Sequence, residues 1–263
     1  MSVYLSVFRL RLRMETQYRA AAVGGLLCQC FFALVLIALY RTLYAGSPQS
    51  LPLASVVTYV WLQQGFFRLL LSTDGELLDK VRTGAIAYDL CRPVSPYPMY
   101  FSRMAAQKLV GSLLRGAPMF VIAFLLPEGW GMTPPASPEA LALALGALAL
   151  GLLCVCALDC ITMGITMRTI DHRGAMAMLN LLMVTFSGNL LPLTLFPDSW
   201  QRFVRLLPYA QILDAPCRLY TGTCLPGEVA EVFLCQTVWI ALLICLGLWI
   251  WRRNLSRMAL QGG

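Results

Sequence analysis

The stretch Ser187 to Gly222, SGNLLPLTLFPDSWQRFVRLLPYAQILDAPCRLYTG, decides how the rest of the chain is read. It opens as the end of an apolar helix, which Pro192 and Pro197 then interrupt. An amphipathic turn follows with Trp200, Arg202, Phe203 and Arg205, then Pro208, Pro216 and a closing Gly222. Proline removes a backbone donor and keeps the preceding residue out of helical torsions. Prolines at this density in apolar company therefore describe several short helices rather than one span. Irregular backbone at membrane depth is tolerated only where protein or a wet cavity satisfies it. Local chemistry leaves two readings open: a re-entrant cap beside a pathway, or an external loop lying on a membrane.

Composition supplies the membrane. The 263 residues are 59% hydrophobic and 13% charged, with mean hydropathy +0.70, whereas a soluble domain carries about 25% charged residues. The formal charge of +7 is spread through short segments between apolar runs, the pattern of the positive-inside rule. That distribution suits anionic headgroups and argues against nucleic acid. Of the ten cysteines, Cys28, Cys30, Cys154, Cys156, Cys160, Cys235 and Cys245 lie in apolar runs, where cysteine acts as a small hydrophobe. Neither Cys28-Gln-Cys30 nor Cys154-Val-Cys156 has a second ligand pair, so no metal site is expected. Cys217 and Cys224 share the segment placed outside, where either a disulfide or two free thiols fits.

Read in order, residues 1–20 mix hydrophobes with Arg9, Arg11, Arg13 and Arg19. They are expected to form an interfacial helix on the cytoplasmic face, or a plain basic anchor. Spans are predicted at 20–40, 51–67, 103–126, 140–167, 175–195 and 232–251, from apolar length. Arg115 falls within the third of these spans and is a candidate for pathway or subunit-interface polarity, with snorkelling as the rival. Lys108 is expected to snorkel toward the cytoplasmic face. Asp159, in the fourth, is with Arg115 a candidate for pathway or subunit-interface polarity and could instead pair with an arginine of a neighbouring helix, while Gly146 and Gly151 are placed to let helices approach closely. Ser187, Asn189 and Pro192 end the fifth span and join the pathway candidates. The sole histidine, His172, sits in a short turn. With both termini inside, only Arg41, Arg202, Arg205 and Arg218 of the twenty Lys and Arg residues fall outside. The expectation is an all-α polytopic membrane protein of six spans, N-in and C-in.

Segment 73–98 is the most informative polar stretch. Thr73-Asp74-Gly75-Glu76 has the spacing of a capping box, and Gly84 is placed to end the helix it starts. Between them stand Glu76, Asp79, Lys80 and Arg82, followed by Arg92, Pro93, Pro96 and Pro98. A short cytoplasmic helix with a stiff elbow would suit docking of another protein; a solvated loop is the alternative. No phosphate-binding loop, dinucleotide turn, zinc-protease motif or serine nucleophile elbow occurs, and no catalytic residue or cofactor site is assigned.

Two stretches together resemble a known family. Val81-Arg82-Thr83-Gly84 with Leu90-Cys91-Arg92-Pro93-Val94-Ser95, and the spaced series Ser187-Gly188, Pro192, Phe196-Pro197, Leu207-Pro208-Tyr209, Pro216 and Gly222, are similar to the permease subunits of type-2 ATP-binding-cassette exporters. The likeness is to the group related to daunorubicin, viologen and antibiotic-peptide efflux systems. One departure is Asp89-Leu90-Cys91, where the family more often has a Leu-Leu pair before Arg-Pro. The resemblance implies a homodimer or heterodimer of permeases above separate ATPase subunits, which would bind the ATP and Mg. Glu76, Asp79, Lys80, Arg82, Gly84, Arg92 and Pro93 would then form the ATPase-coupling element. Segment 196–222, with Pro197, Trp200, Phe203, Pro208, Pro216 and Gly222, would be an external re-entrant gate. The substrate class implied is an amphipathic drug, antibiotic, peptide or lipid-like molecule leaving a bacterial cytoplasmic membrane. A membrane scaffold without transport of its own is the alternative, and an intramembrane enzyme acting on lipid would need convergent acids or histidines at one depth, which are not found.

Overall fold

In the computed structural model, residues 3–17, 19–46, 51–72, 74–169, 173–189 and 192–256 are described. The expectations placed on Thr73 and His172, and on the side chain of Arg82, lie outside them. Among the described residues the chain is all helix, with no strand. Helix α1 is Val3–Glu15 and α2 is Arg19–Gly46. They are followed by α3 (Leu53–Gly65), α4 (Gly75–Thr83), α5 (Ile86–Leu90) and α6 (Pro96–Leu125). Next come α7 (Pro138–Thr169), α8 (Arg173–Phe186), α9 (Asp198–Leu206), α10 (Pro208–Ile212), α11 (Asp214–Thr221) and α12 (Pro226–Leu255). Single 3-10 turns occupy Phe67–Leu69 and Leu193–Leu195.

Four helices, α2, α6, α7 and α12, are long and apolar enough to cross a membrane. At 28 to 32 residues each runs about 42–48 Å at the helical rise, more than a hydrocarbon core of about 30 Å. The other two predicted spans are shorter than the sequence suggested. The apolar run at 51–67 carries a 13-residue helix that gives way at Phe66 to a 3-10 turn. The run at 175–195 carries α8, which stops at Phe186, because Gly188 turns the chain at φ 79°. Hydropathy registers apolar length and not these breaks.

Helix α7 is the hub, packing against α12, α11, α10, α6 and α4. Two glycines make this closeness feasible. A Cβ on Gly151 would lie 2.8 Å from the Ile212 carbonyl of α10, and one on Gly164 would meet Ile250 and Trp251 of α12 at 2.8–2.9 Å. Gly146, singled out for the same reason, faces Phe233 at an ordinary 3.5 Å. The indole of Trp251, fully buried, donates to the Cys160 carbonyl at 2.6 Å and fastens α12 to α7. Helix α2 presents Val23, Leu27, Phe31, Val35 and Leu39 outward, the apolar exterior of a membrane bundle. One end of the bundle collects α1, α4, α5 and the basic end of α12; α9–α11 and the loop before α7 cluster near the other.

The Ser187–Gly222 stretch folds as a string of short helices, each start or stop set by the residue that marked it. Pro197 is the N-cap of α9, Pro208 the first residue of α10, and Gly222 closes α11 at φ 69°. Within this string α9 lies at the surface, with Trp200 and Phe203 exposed, whereas α10 and α11 are inserted into the bundle. Contact between Ile212 and Gly151 places α10 about 20 Å along α7 from Pro138. In α11, Asp214 through Tyr220 are all buried. Backbone carbonyls freed at the breaks are taken up by side chains. Gln201 donates to the carbonyls of Thr194 and Phe196 at 3.2 and 2.7 Å, and Gln211 to that of Arg205 at 2.6 Å. The Trp239 indole donates to the Leu206 carbonyl at 2.7 Å, and Gln236 to those of Ala147 and Gln211 at 2.9 and 2.8 Å. Three glutamines and a tryptophan thus tie the breaks of this segment to the bundle.

Candidate functional site

Three polar groupings stand out from the apolar core. The first fixes α4. Asp74, not Thr73, is its N-cap, accepting from the Glu76 backbone N–H at 3.1 Å, and Gly84 ends it at φ 75° as the spacing predicted. Arg103 of α6 reaches up to this helix: its Nε lies 2.9 Å from Asp74 Oδ2, and its guanidinium fork grips both oxygens of Glu76. Lys80 bridges Glu76 at 3.0 Å and Asp89 of α5 at 2.9 Å, and Tyr100 donates to the same Asp89 oxygen at 2.9 Å. Leu77 and Ile86 anchor the two short helices in the core beneath. Glu76 and Lys80 therefore build the platform, and neither projects freely from it.

Arg103 above all holds the Glu76 carboxyl down at about 2, burial opposing it and Lys80 assisting. This carboxylate therefore contributes stability in full above its ordinary 4.5 and loses that contribution as pH falls toward 2. What the platform leaves exposed is Asp79, Tyr88, Arg92 and Pro93. Tyr88, at 77% exposure, is an aromatic with no core role, and sequence reasoning passed over it.

The second grouping lies in mid-bundle. Lys108 of α6 does not snorkel; it is fully buried and pairs with Asp159 of α7 at 2.9 Å. Its ammonium also donates to the Leu70 carbonyl at 2.6 Å and to Ser72 Oγ at 3.2 Å, and the Ser72 backbone N–H donates to Asp159 Oδ1 at 2.8 Å. The irregular link between α3 and α4 supplies the extra partners that a buried ion pair needs. Asp159 thus takes a lysine in place of the expected arginine. Arg115 is elsewhere, its guanidinium lying across Gly25 of α2, so the two charges proposed together are not brought together.

The third grouping is the seat of the broken segment. Asp214 and Arg218, one helical turn apart on α11, pair at 2.8 Å with 0% and 3% of their side chains exposed. Tyr59 of α3 donates to Asp214 Oδ1, and Glu228 of α12 closes on Arg218 at 3.3 Å. The turn after α8 comes against the same place. A Cβ on Gly188 would collide with the Tyr59 hydroxyl and meet Gln63 at 3.0 Å, so glycine is required there by space as well as by φ. Ser187 and Asn189 on either side are buried, and the Ser187 hydroxyl, the Asn189 amide nitrogen and the Gln63 amide nitrogen have no hydrogen-bond partner among the described residues. Pro192 is buried beyond them. Pro216 is buried in α11, whereas Trp200 and Phe203, 58% and 61% exposed, form the outer face of α9. Cys217 and Cys224 are both free thiols.

Sequence reasoning made site candidates of Ser187 and Asn189 but not of Tyr59, Asp214 or Arg218, although the i, i+4 spacing of the last two was a readable signal. Among the described residues no cluster of potential metal ligands occurs. No curated protein matches the chain. A family model described as ABC-2 family transporter protein matches residues 26–262.

Proposed function

The chain belongs to the ABC-2 transporter family, and on that footing we propose that it is the membrane-spanning subunit of an exporter driven by a separate ATP-binding-cassette ATPase. It is a multi-pass membrane protein, with four helices long enough to cross. In the proposed arrangement α3 and α8 complete six spans, with both termini on the cytoplasmic side of a bacterial cytoplasmic membrane. A second permease, identical or related, lies alongside. The chain performs no catalysis itself, and ATP and Mg are bound by the partner.

The observation that carries the reading is the α4–α5 platform. It is braced from beneath by Arg103 and Tyr100 of α6 and tied together by Lys80, while Asp79, Tyr88, Arg92 and Pro93 stay exposed. A rigid base with an uncommitted outer face suits transmission of a push from a docked ATPase, shifting the permease between states of different substrate affinity. At the opposite end, depth of insertion and side-chain satisfaction of α10 and α11 support a re-entrant gate over a loop on the surface. Unpartnered polar atoms on Ser187, Asn189 and Gln63 support a wet or substrate-contacting position there. An apolar cavity of about 300 Å³, lined by Leu62, Phe66, Phe120, Phe124, Pro216 and Tyr220 among others, supports a substrate with an apolar part.

The platform makes a graded prediction. Arg92→Ala should leave folding intact and lower the permease's stimulation of ATP hydrolysis several-fold, because Arg92 is exposed. Glu76→Ala should lower stimulation and stability together, since it strips Arg103 and Lys80 of a shared partner. ATPase turnover in reconstituted complexes, read beside thermal stability, checks both. Wild-type stimulation by Arg92→Ala would remove this residue from the coupling surface.

A further inference from the structure

A pocket of about 310 Å³ opens between α1, α2 and α6. Its wall carries Arg11, Arg68 and Arg115, with one acid, Glu15, and the apolar side chains of Met14 and Leu114. Glu15 is spent on Arg11, at 3.1 Å, and Arg11 also reaches Glu76 at 4.0 Å and Gln107 at 3.5 Å. Arg68 and Arg115 form no ion pair among the described residues. The two guanidiniums share one pocket and repel each other, Glu15 offsetting part of the charge at Arg115, and the Arg68 Nε is buried without an acceptor among the described residues. Such an arrangement is stable when something absent from the chain supplies negative charge.

Both arginines are also given room to lie flat. A Cβ on Gly25 would fall 2.6 Å from the Arg115 guanidinium carbon, and one on Gly111 would fall 2.8 Å from Arg68 Nε. Gly25 is within about 9 Å of the start of α2 at Arg19, and the C-terminal end of α1 forms the roof. Met14 and Leu114 give the same pocket an apolar wall beside its two cations, the combination that a lipid headgroup and the start of its acyl chain would meet in a membrane protein.

We propose that this pocket binds a phosphate mono- or diester, and specifically the headgroup phosphate of an anionic lipid, with Arg68 and Arg115 as its ligands. The lipid would tie α1 to the α2–α6 pair and fill the missing acceptor at Arg68. A soluble phosphate shares the recognising chemistry, so the test separates the two. Purified full-length protein in detergent is titrated by native mass spectrometry with phosphatidylglycerol, phosphatidylcholine, or inorganic phosphate.

Wild type should bind phosphatidylglycerol about tenfold more tightly than phosphatidylcholine, given roughly 1 kcal/mol per basic residue near an anionic surface with part lost to screening. The doubly substituted R68Q/R115Q protein should lose that preference. Should that variant fail to fold, Arg68→Lys keeps the charge, loses the planar fork and should reduce the preference several-fold. Equal affinities for the two lipids in wild type, or a preference that survives the double substitution, overturns the proposal. Displacement of phosphatidylglycerol by equimolar inorganic phosphate reassigns the site to a soluble anion and overturns the lipid assignment. No ATPase enters this assay, so its failure leaves the permease reading untouched, and absence of an ATPase partner leaves the lipid measurement untouched.

Discussion

Asp159→Asn should sharply destabilise the bundle, lowering the melting temperature of the purified protein by roughly 10 °C. The substitution keeps the shape of the side chain and the acceptor for the Ser72 N–H, and it removes only the negative charge facing Lys108. With 1% of each side chain exposed, Lys108 cannot exchange its lost partner for water. Breaking a buried pair costs about 3–5 kcal/mol, and in a chain of this size each 1 kcal/mol moves the midpoint by about 2–4 °C. The bonds from Lys108 to the Leu70 carbonyl and Ser72 hydroxyl place the loss toward the lower end of that span. The doubly substituted K108M/D159N protein, with neither charge, should recover most of it. Thermal scans monitored by size-exclusion chromatography distinguish the cases. A midpoint unchanged in Asp159→Asn would show that the pair is not ionised and that the bundle does not depend on it.

Asp214→Asn should have an effect of similar size, and it should be functional as well as structural. Asp214 is the acceptor for Tyr59 from α3 and the ion partner of Arg218 within α11. Its loss leaves a guanidinium 3% exposed with Glu228 as the remaining carboxylate, at 3.3 Å. The seat of α10 and α11 against α3 and α7 would loosen, exposing the segment between Pro208 and Gly222. Tyr59→Phe, which removes one hydrogen bond to a charged group, should cost only about 1.5–3 kcal/mol. The ordering Asp214→Asn above Tyr59→Phe is the expected result for thermal stability. Protease cleavage within 208–222 should appear in the first variant and not in the wild type. Equal stability of both variants and wild type would mean that the broken helices are held by the glutamine–carbonyl contacts alone.

Much of the architecture was legible because single residues forced it. Pro197 and Pro208 fit only at a helix start, Gly84 and Gly222 at a left-handed stop, and each is found there. The long apolar helices announced themselves by length, though α2 runs on through Arg41 to Gly46 and α6 begins at Pro96. Hydropathy cannot say which way a helix is rotated, and that is where the reading failed. Lys108 was placed at a membrane surface because a lysine near a helix end commonly snorkels. Its burial depends on Asp159, far along the chain on α7, and on the Leu70 carbonyl just after the 3-10 turn Phe67–Leu69. Arg103 was read as the edge of a span, yet its task is to grip α4. Tyr59 carried no signal, since its importance comes from Gly188 and Asp214 arriving from two other parts of the chain. Asp214 and Arg218 stood at pairing distance in the sequence, but the prolines around them drew the reading toward backbone geometry.

If this chain is, as proposed, the permease of an ATP-driven exporter, an ATPase partner should accompany it through purification. Tagged protein extracted in mild detergent from its native membrane should bring down an ATP-binding-cassette ATPase in stoichiometric amount by mass spectrometry. Arg92→Ala should weaken that association without altering the fold. A wild-type chain recovered intact with no nucleotide-binding partner would contradict the account, and the roles given to the α4–α5 platform would fall with it.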